Sequence, residues 1–382
     1  MKVLIASDIH FFSIDNRIFV SEKLSKIFMR YRKSFGDIIL CSRVYNKRND
    51  TKLIDVTDIV SKTITFAGFC ELYSRRFKKQ LLDYMKECDL VIGRFESFSA
   101  IIAYQLSKKL GKPFFSEVMS DPWDGLWNHS FVGKMVAPYS YLMTKNALSH
   151  SDYALYVTNN FLQSRYPCPF RSVGVSNVFI QEVNESVITK RFERIQRMNL
   201  HEISLMTTGA TYVKYKGQEY VIRAIPLLNQ IGIKVKYLIV GEGSQDYLRC
   251  IAKKLDVEKQ VLFMGRLPLG EVMNLLENVD IYIQPSLQEG LPRAVIEAMS
   301  RGVPCLGAQT AGIPELIRKE CVFKRKSPES IFQHIKSVLE KTMLMALAKE
   351  NYIESKKYYD DVLSEKREQY YNYVVESVSK KK

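Results

Sequence analysis

Two glutamates, Glu289 and Glu297, stand eight residues apart in the run QEGLPRAVIEAMSRGVPCLG. Their surroundings give that spacing a meaning. DIYIQPS reads as a strand with Asp280 at its start, LQEG as a turn, and PRAVIEAMSRG as a helix whose Pro292 suits the first turn. Glu289 then lies just ahead of the helix, and Glu297 about one and a half turns into it. A helix N-terminus offers unpaired N–H groups and a partial positive charge, a favourable seat for a diphosphate, and Gly290 permits close backbone approach. Glu297 suits two vicinal ribose hydroxyls, and Glu289 at the mouth suits sugar hydroxyls. Read singly, Glu297 as a surface helix residue and Glu289 as a capping residue are the better account.

The elements that must position these residues alternate along the chain. MKVLIAS, DIILCSR, DLVIGRF, KPFFSEVMSD and SDYALYVT read as strands, with segments of helical spacing between them. QEVNESVITKRFERIQRMN, residues 181–199, is polar and poor in strand formers and reads as a connection, in part helical. Alternation restarts with ISLMTTG, YKGQEYVIRAIPLLNQI, VKYLIVGEG, SQDYLRCIAKKL and VLFMGR and runs on to GIPELI. Such order implies two α/β domains with parallel sheets and right-handed crossovers. Boundaries fall at 1–180 for the first domain, 181–200 for a linker and 201–354 for the second domain. A terminal helix over about 355–382 is expected to return to the first domain. At 382 residues the chain has the length for two such cores.

The run from Gln288 to Ile317 resembles the E-x7-E region of retaining glycosyltransferases of the GT-B fold, family 4. TTGATYVKYKGQEYVIRAI, IVGEG and VLFMGR stand upstream at the family's order and spacing, so the resemblance is close over about Ile203–Ile317 and loose before it. It implies two Rossmann-like domains facing a central cleft, with the terminal helix crossing back. By the same resemblance Glu289 contacts the donor sugar and Glu297 the ribose. Gly290, Leu291 and Arg293 fall where backbone amides approach the sugar and phosphates, and Pro292 has no N–H to give. Lys216 in YKGQ matches the lysine that holds the diphosphate. Gly209, Glu242, Gly243, Gly265, Arg266 and Leu267 match loops around the donor. Ala210 departs from the pattern, standing where many relatives carry arginine, with Lys214 or a first-domain residue as the expected substitute. A second departure is SDIHFFSIDN in place of the glycine-rich turn after the first strand.

The acceptor is expected on loops leaving the first-domain strands. SEVMSDPWDGLWNHS, Ser116–Ser130, follows a strand and is dense in Asp, Trp and His, which suit stacking on sugars and bonding to hydroxyls. Asp121 is the catalytic candidate there, beside Trp123 and a helical His129. Asp8 and His10 end the first strand, and Arg94 ends another and could meet phosphate. Each also fits a loop-packing role. No metal cluster stands out, and the family resemblance implies none, nor any other cofactor. The implied reaction is retaining transfer of a hexose or N-acetylhexosamine from a nucleotide-diphosphate sugar, UDP ahead of GDP, to a glycan or lipid-linked acceptor in surface polysaccharide biosynthesis. A catalytically silent GT-B subunit and a nucleotide-sugar epimerase are the alternatives.

Composition narrows the setting. The net charge of +15 fits nucleic acid, an anionic membrane surface or polyphosphate substrates alike, but no nucleic-acid motif accompanies it. Basic and apolar residues interleave in Glu22–Gly36 and Ser74–Lys86, which fits either a solvated helix face or an anionic membrane surface. No window supplies the roughly 20 apolar residues of a membrane span. The N-terminal run is too short and too polar for a signal peptide. Seven cysteines without CxxC spacing argue for a reducing compartment. The expected setting is cytoplasmic, with peripheral contact on the inner face of the membrane.

Overall fold

The computed structural model describes residues 1–15, 17–45, 53–95 and 97–380. The chain divides into two compact units, one formed by Met1–Val175 with Ser364–Lys382 and the other by Ser176–Leu363.

The first unit is built on strands β1 (Lys2–Ile14), β2 (Arg17–Ser21), β3 (Asp37–Tyr45), β4 (Leu53–Asp55), β5 (Val60–Phe66), β6 (Leu90–Phe95), β7 (Phe114–Val118), β8 (Tyr153–Tyr156) and β9 (Ser172–Gly174). Val3, Leu4, Ile5 and Ala6 of β1 are all fully buried, the continuous apolar run expected of a parallel strand covered on both faces. β3 and β6 flank β1 in parallel, and β5, β7, β8 and β9 extend the sheet in the same sense. The sequence shows no glycine turn after the apolar run Val3–Ala6 because the strand does not end there. It runs on to Ile14 and folds back as β2, antiparallel, with Phe12 opposite Phe19.

Helices α1 (Glu22–Phe35), α2 (Phe69–Leu72), α3 (Arg75–Lys86), α4 (Phe98–Leu110), α5 (Pro122–Trp127), α6 (Phe131–Ser149) and α7 (Phe161–Arg165) complete the walls of this unit. In α1 the apolar residues Ile27, Phe28, Tyr31 and Phe35 are buried, and in α3 Phe77, Leu81 and Met85 are. The apolar faces of both basic helices are largely packed on the core, and most of their lysines and arginines are exposed.

The second unit holds a wholly parallel six-stranded sheet of β10 (Glu202–Thr208), β11 (Lys234–Val240), β12 (Val261–Gly265), β13 (Ile281–Gln284), β14 (Cys305–Ala308) and β15 (Val322–Phe323), ordered β12-β11-β10-β13-β14-β15. Its helices are α8 (Ser186–Arg197), α9 (Gln218–Gln230), α10 (Asp246–Lys254), α11 (Leu269–Asn278), α12 (Arg293–Ser300), α13 (Ile313–Leu316), α14 (Pro328–Val338) and α15 (Lys341–Ser355). The segment expected as a linker is α8, and one buried side chain ties it down. Arg191 donates to the carbonyls of Leu276 and Val279 at 2.6 Å each, satisfying the end of α11. The last helix, α16 (Asp360–Ser379), enters the first unit, where Tyr370 Oη accepts from the Ala154 N–H at 3.0 Å and Tyr371 Oη donates to Glu117 at 2.6 Å.

Candidate active site

In the second sheet the chain order reverses between β10 and β13, and a doubly wound sheet gathers ligands at the carboxyl ends of its strands beside that switch point. The loops leaving β10 and β13 carry Gly209–Lys216 and Pro285–Pro292. They meet there. Lys216 Nζ lies 2.7 Å from Glu289 Oε1, although the two residues are 73 positions apart. The pair is mostly buried, with side-chain exposures of 21% and 12%.

The backbone explains why Lys216 is held at that place. Gly217, at the start of α9, has φ +74°, and a Cβ there would stand 2.1 Å from the Pro285 carbonyl oxygen. Only glycine lets the β10 loop close against the β13 loop. Leu287 N–H then donates to Tyr215 O at 2.7 Å and stitches the two loops together. Neighbouring strand ends join the same edge. Gly209 N–H donates to Val240 O and Gly241 N–H to Gly265 O, both at 2.8 Å. A Cβ on Gly241 would meet Gly209 O at 2.0 Å, so β10 and β11 leave the sheet in backbone contact. Thr211 Oγ1 donates to Glu242 O and Gly243 O at 3.1 and 2.9 Å, and Arg266 pairs with Glu242 at 3.3 Å on the exposed rim.

Glu297 sits on α12 with its side chain 8% exposed. Burial pushes its carboxyl above the ordinary value, and Arg293, one turn earlier at 3.9 Å, opposes that rise. The helix begins at Arg293 with Pro292 as its cap, one residue later than the proline placement in the sequence suggests. Gly290 O accepts from Gly312 N–H at 2.9 Å, which fixes the turn ahead of α12, and Leu291 is buried. Leu267 is half-buried beside Arg266. Lys214, expected as a substitute for the cation missing at Ala210, has its ammonium 4.7 Å over the Tyr247 ring.

Two residues that sequence reasoning passed over complete the site. Gln284, the last residue of β13 and 1% exposed, donates to Glu289 Oε1 at 3.1 Å and to Ser286 Oγ at 2.8 Å. Its own oxygen accepts from Tyr282 Oη at 2.6 Å, and that hydroxyl accepts from Thr208 N–H at 3.2 Å. A buried polar side chain in an otherwise apolar strand, IYIQP, was the available signal. Arg325 is the second. It reaches Leu287 O at 3.3 Å from beyond β15, too far along the chain for any local pattern to place it.

First-unit candidates fare differently. Asp121 caps α5 by accepting from Trp123 N–H at 3.0 Å, accepts from Tyr166 Oη at 2.5 Å, and pairs with Arg165 at 2.6 Å. With 1% of its side chain exposed, this carboxylate is committed to holding the loop and presents nothing to a substrate. Asp8 is likewise a cap. It accepts from Phe98 N–H and Ser99 N–H at 2.9 and 3.1 Å, so it occupies the α4 N-terminus itself. Arg94 does not face a phosphate; it is buried and pairs with Glu117 at 3.6 Å, a residue that also accepts from Tyr31 and Tyr371. Trp123 stacks on Trp127, with centroids 5.2 Å apart. His129 is exposed in the turn after α5, outside the helix expected for it, and His10 is exposed against Tyr45. Among the described residues no cluster of three His, Cys, Asp or Glu side chains could hold a metal ion.

Residues 201–357 match the family described as glycosyl transferases group 1. Protein CapJ of Staphylococcus aureus is 32% identical over 348 residues, 87% of this chain and 84% of that protein. The chain belongs to the group 1 glycosyltransferases. The amylovoran biosynthesis glycosyltransferase AmsK of Erwinia amylovora is 30% identical over 179 residues, 45% of this chain and 42% of its own. Among solved structures, HepE of Anabaena in complex with UDP superposes with a TM-score of 0.63 at 15% identity, covering 100% of both chains, and has also been solved with UDP-glucose. The fold is GT-B, and this glycosyltransferase carries the Lys216–Glu289 pair at the switch point of its second sheet.

Proposed function

We propose that this glycosyltransferase transfers a hexose or N-acetylhexosamine with retention from a UDP-sugar to a glycan or lipid-linked acceptor, in the assembly of a surface polysaccharide. The observation that carries the reading is the meeting of Lys216 with Glu289 at the switch point, with the carboxylate of Glu297 buried on the helix that follows. An ammonium has three donors. With one on Glu289, Lys216 keeps two for the donor diphosphate, which also meets the N–H groups of the first turn of α12. The bond between the sugar's anomeric carbon and the diphosphate breaks as the acceptor oxygen attacks from the same face, and the departing phosphate oxygen takes the acceptor proton. Charge develops on the leaving group, so these fixed positive groups act where they lower the barrier most. Protein cations fill that role in the proposal, without a resident metal. UDP is favoured over GDP by the likeness to HepE, solved with UDP and UDP-glucose. Polysaccharide assembly is supported by the relative AmsK of amylovoran biosynthesis.

Purified protein incubated with a panel of UDP- and GDP-sugars and candidate acceptors tests the proposal. Transfer from a UDP-sugar giving a product with the donor's anomeric configuration, read by NMR, is the expected result. An inverted product overturns retention. Conversion of the nucleotide sugar without an acceptor points instead to an epimerase, and binding without turnover to a silent subunit.

A further inference from the structure

Helix α6 turns its apolar side outward. Phe131, Met135 and Leu142 are 78%, 70% and 57% exposed, at spacings of four and seven residues that align them on one stripe, with Pro138 in the gap between Met135 and Leu142. An exposed stripe of this kind on a helix otherwise packed into its unit is a contact surface. Lys134 and Lys145 fall together on one flank of the stripe, and Phe131–Ser149 contains no Asp or Glu. At the α6 N-terminus the exposed Trp127 borders the stripe, with Lys134 Nζ 5.9 Å over its ring. α5 follows directly from the end of β7, so Trp127 and Phe131 stand at the carboxyl edge of the first sheet, where α/β units bind their ligands.

We propose that the α6 stripe, with Trp127, lies in the headgroup region of an anionic lipid bilayer and brings the enzyme to an acceptor carried on lipid. The proposal rests on the glycosyltransferase reading above and deepens it by naming where the enzyme meets its acceptor's surface. An apolar ridge with an interfacial tryptophan and one-sided lysines is the pattern of a helix lying in the plane of a membrane. Charge decides the occupant. An isologous dimer through this face would bring the lysine rows of two copies together with no acid on the helix to meet them, whereas anionic headgroups neutralise them. The surface differs from α1 and α3, whose apolar residues are largely buried in the core, with Met29 of α1 the exposed exception.

The test is sedimentation of the full chain with vesicles of phosphatidylcholine alone or mixed with phosphatidylglycerol. Fluorescence provides a second readout, since both tryptophans of the chain, Trp123 and Trp127, lie in α5. Wild type is expected to sediment with the anionic vesicles and shift its emission to the blue. Met135→Glu with Leu142→Glu should weaken binding at least about tenfold, and Lys134→Ala with Lys145→Ala should cost roughly fivefold per lysine. UDP affinity, which reads the other unit, should be unchanged in both variants. Three results overturn the proposal: wild type that ignores anionic vesicles, binding indifferent to both variant pairs, or a dimer in solution that Met135→Glu and Leu142→Glu dissociate. Loss of the glycosyltransferase reading is separately visible as no transfer to a soluble acceptor by wild type, whatever the vesicles show.

Discussion

Lys216 and Glu289 hold two loops together across 73 residues, and the strength of that link is calculable from its setting. Exposed ion pairs contribute about 0.2–1 kcal/mol, and breaking a fully buried pair costs about 3–5 kcal/mol. At 21% and 12% exposure this pair belongs between them, at about 1–2 kcal/mol of coupling. The two single variants should differ. Lys216→Met leaves a mostly buried carboxylate that still accepts from Gln284 at 3.1 Å, so it should cost about 1–2 kcal/mol. Glu289→Gln keeps a carbonyl that accepts from both Lys216 and Gln284, and should cost less than about 1 kcal/mol. Urea denaturation of wild type, both single variants and the double variant, followed by circular dichroism, closes the cycle. Coupling below about 0.3 kcal/mol, the level of ordinary non-additivity, would refute the claim that the pair preorganises the site.

Three further outcomes follow from the same geometry. Burial holds the Glu297 carboxyl above its ordinary value, so the native state binds more protons than the unfolded chain between the unfolded and folded pKa, and stability falls as pH rises through that window. Glu297→Gln should remove that decline and raise the ligand-free melting temperature at neutral pH, while a lowered melting temperature there would contradict it. Gly217→Ala should destabilise by about 2–3 kcal/mol, through a strained positive φ and a clash with Pro285 O, and should weaken UDP binding in calorimetry because it displaces Lys216. Asp8→Ala should cost about 1–2 kcal/mol in thermal denaturation by uncapping α4, yet leave UDP affinity unchanged. A selective loss of UDP binding would return Asp8 to the ligand side.

The sequence made the second sheet and its loops readable because the relevant signals are local. A strand, a glycine-bearing turn and a helix occupy adjacent residues around Glu289, and a lysine precedes Gly217 at the start of α9. The strands β3, β6, β7 and β8 of the first unit were readable too, whereas β1 runs on to Ile14 past its expected end, and the partners of the polar residues there lie outside any local window. Asp8, Asp121 and Arg94 look alike in sequence whether they face a ligand or a distant partner. What decides is a contact beyond the local window: Phe98 for Asp8, Tyr166 and Arg165 for Asp121, Glu117 for Arg94. The β1–β2 hairpin escaped for the opposite reason, since IHFFSI reads as a loop only if a glycine turn is expected after the first strand. Gln284 escaped because an amide in an apolar strand signals a buried polar role without naming its partner, Glu289, five residues ahead.

The central claim is that a nucleotide-sugar donor binds at the loops that carry Lys216 and Glu289 and at Glu297 on the helix that follows. Transfer from the UDP-sugar selected by the donor panel, measured for wild type and Glu297→Ala across donor concentrations, tests it most directly. The account predicts a rise in donor KM of at least about tenfold, the loss of hydrogen bonds to a charged acceptor. A Glu297→Ala enzyme that transfers sugar at the wild-type rate with an unchanged donor KM would contradict it.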